Sequence, residues 1–64
     1  MKYRSLEEWR KANGLSQEKA GQLFGMAQGH WSVVEDGSRP PRPKLAKRIA
    51  DRTGVSVVTI LGLE

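Results

Sequence analysis

There is no cysteine in this chain of 64 residues, which removes disulfide frameworks and thiolate metal sites together and suits a reducing compartment. Histidine occurs once, as His30, and with no cysteine beside it neither a metal site nor a catalytic role is expected there. No apolar stretch is long enough to span a bilayer and no signal-peptide pattern is present, so the expected location is the cytoplasm, away from membranes. No nucleophile–base set and no Gly-rich phosphate loop appears, and a small helical interior leaves little room for a pocket. The chain is therefore not expected to be an enzyme or to carry a cofactor. Internal repeats are absent as well, so residues 1–64 should form one domain, burying only roughly 60% of the surface of the unfolded chain.

What is present is positive charge. Eleven Lys and Arg stand against seven Asp and Glu, a net +4, a balance that attracts polyanions such as nucleic acid or anionic lipid.

The hydrophobic pattern is helical from end to end. Ser5 reads as an N-cap with Glu8 three residues on, as in a capping box, and Leu6, Trp9 and Ala12 recur at helical spacing up to Asn13-Gly14. Acids Glu7 and Glu8 open this helix and bases Arg10 and Lys11 close it, as the macrodipole favours. Ser16 repeats the cap signal for a second helix of about eight residues, with Ala20, Leu23 and Phe24 as its apolar set and Gly25 as its end. A third segment runs from Gln28 to Asp36 and closes at Gly37. Pro43 is placed to start a fourth helix whose stripe is Leu45, Ala46, Ile49, Ala50 and Thr53, ending at Gly54. Ser56 can cap a short last helix to Leu61. Residues 55–61 (VSVVTIL) are β-branched enough for a strand, but no other segment offers a strand partner. The expected fold is all-α, a compact bundle of five short helices.

The third segment has two unlike sides. At about 100° per residue, Trp31 and Val34 share one side while Gly29, Ser32 and Val33 share the other, with Gln28 beside them. The first side is core. The second is small, neutral and able to hydrogen-bond, whereas a solvated face normally carries Lys and Glu. Glu35 and Asp36 lie at the C-terminal end, where acids oppose the macrodipole, so Glu35 needs a cation. The N-terminal end carries no acid and is left open to phosphate.

Two short helices joined by a tight glycine turn, the second with a small polar outer face, have the geometry of a helix-turn-helix. The stretch LSQEKAGQLFGMAQGHWSVVEDG, residues 15–37, resembles the helix-turn-helix of lambda-repressor-like proteins, the Cro and xenobiotic-response-element (XRE) group. The features that match are the Leu-Ser-Gln-Glu opening, small Gly21, turn glycine Gly25, apolar Met26, buried positions at Trp31 and Val34, and the closing Glu35-x-Gly37. LEEWRKANGL before it and IADRTGVSVVTIL after it extend the likeness over nearly the whole chain.

The resemblance implies roles. Gln28 would reach a base edge in the major groove, where Asn or Gln pairs best with adenine. Gln17 would bond phosphate and steady Gln28. Ser32 and Val33 would complete the readout, Val33 against a thymine methyl. Gly29 occupies a base-reading position, but without a side chain it takes less sequence information there. Arg10 matches an arginine that pairs with the glutamate at the position of Glu35. Gly21 stands where alanine is usual, costing about 0.5 to 1 kcal/mol of helix stability while permitting a close helix crossing. Ala20 is small and Trp31 large where relatives carry two medium aliphatics, which suggests that Trp31 fills space Ala20 leaves open.

The loop GSRPPRPK, residues 37–44, carries Arg39, Arg42 and Lys44, which are expected to touch phosphates, contacts that set register and affinity rather than sequence. The Pro40-x-x-Pro43 spacing is better read as a turn between helices than as a polyproline ligand. Together these readings describe a regulator on the nucleoid, a repressor, that binds a double-stranded DNA operator as a homodimer. The competing reading is a protein-interaction module, such as the antitoxin of a toxin pair or a partner of the transcription machinery.

Overall fold

Serine hydroxyls begin three of the helices. Ser5 Oγ accepts from the Glu8 N–H at 3.1 Å, Ser16 Oγ from Lys19 N–H at 3.1 Å and Ser56 Oγ from Val58 N–H at 3.2 Å, each satisfying a donor that the first turn leaves without an intrahelical partner. The computed structural model describes residues 3–62. Its helices are α1 (Leu6–Ala12), α2 (Gln17–Gln22), α3 (Gln28–Glu35), α4 (Pro43–Thr53) and α5 (Val57–Leu61), with no strand among the described residues. Residues 57–61 are thus helical, and Val55, just before the Ser56 cap, is buried as an anchor for that junction. Glu8 completes only part of a capping box, since its carboxylate accepts from the Arg4 N–H at 3.4 Å, one residue before the cap.

The second helix is shorter than its apolar pattern suggests. It ends at Gln22, and the chain then tightens so that both Phe24 N–H (3.0 Å) and Met26 N–H (2.8 Å) donate to the Gly21 carbonyl. Phe24 and Met26 are buried by this turn, whereas Leu23 is left 41% exposed. Ala12, in the last turn of α1, is exposed as well.

Gly21 is the point of closest approach between α2 and the turn into α3. A Cβ placed there would lie 2.8 Å from the Met26 carbonyl oxygen and 3.3 Å from both the Ala27 oxygen and the Trp31 Cβ. Trp31 thus passes close to Gly21, next to the fully buried Ala20.

Around that crossing sits an aromatic cluster. Trp31 stacks on Phe24 with ring centroids 5.7 Å apart and planes within 3°, and Trp9 meets both rings at a tilt, 6.0 and 6.2 Å away. Leu6 of α1 joins this core, and Ala46, Ile49, Val55 and Ile60 continue it through α4 and α5, which pack on each other as α2 packs on α3. Thr53, buried at the end of α4, donates its hydroxyl to Ile49 O (2.8 Å) and accepts from Val55 N–H (3.1 Å), so this buried hydroxyl is satisfied. The bundle measures 25 × 24 × 17 Å.

Candidate nucleic-acid interface

α3 is presented edge-on by what it buries. Trp31 and Val34 are buried among the aromatic cluster. On the opposite side Gln28 and Gly29 are exposed and Ser32 and Val33 half-buried. A Cβ at Gly29 would meet nothing within 4 Å, so at this position the helix backbone itself is the surface. Ala27 caps α3 with backbone geometry but no side-chain bond, and the first turn holds no acid. Its N–H groups and positive dipole end are consequently open.

The far end of α3 is held by Glu35, whose side chain is 5% exposed. Four donors converge on it: Arg10 Nε at 2.6 Å and Nη2 at 3.3 Å, Trp31 Nε1 at 2.9 Å and Gln17 Nε2 at 3.2 Å. Arg10 also donates from Nη1 to Leu15 O at 2.9 Å. One carboxylate thereby joins α1, the following loop, α2 and α3. Burial opposes its ionisation, but the hydrogen bonds from Arg10, Trp31 and Gln17, with the charge of Arg10, outweigh that and hold the carboxyl below the usual carboxylate range. The same bond to Glu35 raises Arg10 above the usual arginine value against its own desolvation.

Two of these partners are not evident from the sequence. Trp31 and Glu35 are four apart on one helix, a spacing that permits contact but does not choose the indole rotamer that makes it. Gln17 places its amide nitrogen on Glu35, and no hydrogen bond joins it to Gln28 among the described residues. One amide N–H uses Glu35 and the second remains for another acceptor.

The loop after α3 turns back along it. Gly37, at φ +83°, permits the reversal, Asp36 accepts from the Ser38 N–H at 2.7 Å, and the Arg39 N–H donates to Val33 O at 3.2 Å. Asp36 is held below the usual carboxylate range by the Ser38 hydroxyl and, after it, by the Ser38 N–H. Pro41 is buried, which pins the loop, while Arg39, Arg42 and Lys44 are exposed. None of the three lies within ion-pair distance of an acid among the described residues. Arg42 is the N-cap of α4, whose first turn contains no acid either.

Among the described residues no helix is long and apolar enough to cross a membrane, and no group of three His, Asp or Glu is placed to hold a metal ion.

A family model described as a helix-turn-helix domain matches residues 4–61. No curated protein and no solved structure matches the chain. The chain belongs to this helix-turn-helix domain family, a DNA-binding family related to the Cro and XRE type and typically non-enzymatic.

Proposed function

We propose that this helix-turn-helix protein recognises double-stranded DNA sequence-specifically as a transcriptional regulator, with α3 lying in the major groove. The observation that carries the reading is the two-sided α3: a bulky inner side locked into the core, and an outer side bare enough to let its backbone approach base edges. Gln28 reads a base edge, Ser32 supplies a hydroxyl, Val33 an apolar contact, and Gly29 allows close approach. The second amide N–H of Gln17 donates to a phosphate, with the glutamine held in place by Glu35. Arg39, Arg42 and Lys44, exposed and without acid partners, contact further phosphates along the same strand.

One recognition helix makes few base contacts, so two copies on half-sites about 34 Å apart bind the operator. Val57 (37% exposed) and Val58 (41%) on α5 give such copies an apolar surface on which to pair. Occupying a promoter in this way excludes other proteins, and repression is its simplest outcome. The same exposed valines also suit a protein partner such as a toxin, a reading favoured if duplex DNA shows no salt-dependent binding.

Selection of bound duplexes from a random pool tests the assignment. The wild-type protein should enrich a motif, and Gln28→Ala should lose preference at one base pair of each half-site, worth about 1–3 kcal/mol. Enrichment of the same motif with equal strength by the variant overturns the role of Gln28.

A further inference from the structure

One groove of the molecule is shared by α3, the loop and α4. It is lined by His30, Arg39, Pro40, Pro41, Arg42 and Leu45. Its floor is apolar, formed by the buried Pro41 and the half-buried Leu45 with Pro40 beside them, and its rim carries an imidazole and two guanidinium groups that are exposed. His30 stands on α3 about 60° round from Val33, and the Arg39 N–H to Val33 O bond fixes the loop against that same flank. The groove is therefore continuous with the outer face of α3.

An apolar trough edged by cations matches a sugar–phosphate strand, in which apolar deoxyribose faces alternate with anionic phosphates. We infer that this groove seats a stretch of DNA backbone and that His30 binds one of its phosphates as the imidazolium, taking up a proton as the strand docks. The inference rests on the DNA reading above and adds to it a residue and a proton. Arg39 and Arg42 from the loop are the other charged groups lining the groove, and α4 contributes only Leu45. The acids of the α3 C-terminal end are engaged elsewhere, Glu35 by Arg10, Trp31 and Gln17 and Asp36 by the Ser38 N–H. A docked phosphate is thus the negative charge that favours the protonated ring.

Because phosphate contacts carry no sequence information, a mixed-sequence duplex of about 20 base pairs is a sufficient probe. Its affinity should be about three-fold higher at pH 6 than at pH 8 at constant salt. The slope of log K against log salt should be steeper by about 0.9 at pH 6, one additional counterion being released. His30 is the only histidine, so its imidazole C–H resonances need no assignment, and their titration midpoint should move up when the duplex is added. His30→Gln should fold as the wild type does by circular dichroism, bind the duplex, and show the same affinity at both pH values. A midpoint that stays or falls on binding, or a pH difference that persists in His30→Gln, overturns this inference while leaving the DNA reading intact. Failure of the duplex to bind at either pH overturns both.

Discussion

At Gly21 two opposing effects of a single methyl group can be compared. Helix propensity favours alanine over glycine by roughly 0.5–1 kcal/mol. Against it stands a Cβ 2.8 Å from the Met26 carbonyl, a backbone atom held in place by the Met26 N–H to Gly21 O bond. That turn must open for the methyl to fit, and overpacking of this kind costs about 1–3 kcal/mol. Gly21→Ala is therefore expected to lower stability by about 1–2 kcal/mol in urea unfolding, and a variant as stable as the wild type would show that the α2–α3 turn yields freely. The need for a small residue here is legible from the helix-turn-helix pattern, but the preference for glycine over alanine follows from how far the turn folds back, which local sequence does not specify. Glu35 shows the same division. Its misplacement against the helix dipole announces that it needs a cation, whereas the Trp31 and Gln17 bonds depend on rotamers selected only when α1, α2 and α3 meet.

Among the elements, α3 combines a heavily anchored C-terminal end with an uncapped N-terminal one. Ala27 already has extended geometry (φ −70°, ψ 159°) suited to a capping side chain. Ala27→Asp should bond the open N–H groups, oppose the dipole and stabilise the protein by about 1 kcal/mol. It should also weaken duplex binding several-fold, because the new carboxylate occupies the end proposed to face phosphate. Parallel thermal melts and binding isotherms check both halves, and tighter binding by the variant would place DNA elsewhere. Serine caps, Pro43 and Gly54 make most helix ends readable in advance, since each answers a local backbone demand. The exception is α2, where an apolar run continues to Phe24 but the hydrogen bonds to Gly21 O end the helix two residues earlier. The β-branched residues of α5 leave local preference divided, and the buried Val55 and Ile60 resolve it through packing.

For the whole molecule, Glu35 is the titrating group on which three helices converge. Its carboxyl is held below the value near 4.5 that it takes when unfolded. The stabilisation it supplies is therefore complete above about pH 4.5 and is lost as the pH falls through its lower folded value. Denaturant midpoints measured from pH 7 to pH 3 should drop across that window. Glu35→Gln should flatten the drop and, by leaving Arg10 without its counter-charge, lower stability at pH 7 by about 2 kcal/mol. An acid limb of undiminished steepness in the variant would assign the loss to other carboxyls. The aromatic cluster has an optical consequence. Both tryptophans lie inside the bundle, and Trp31 is face to face with Phe24. Ultraviolet emission therefore reports whether the three N-terminal helices are joined, and nucleic acid lying along the exterior cannot quench it by stacking on an indole.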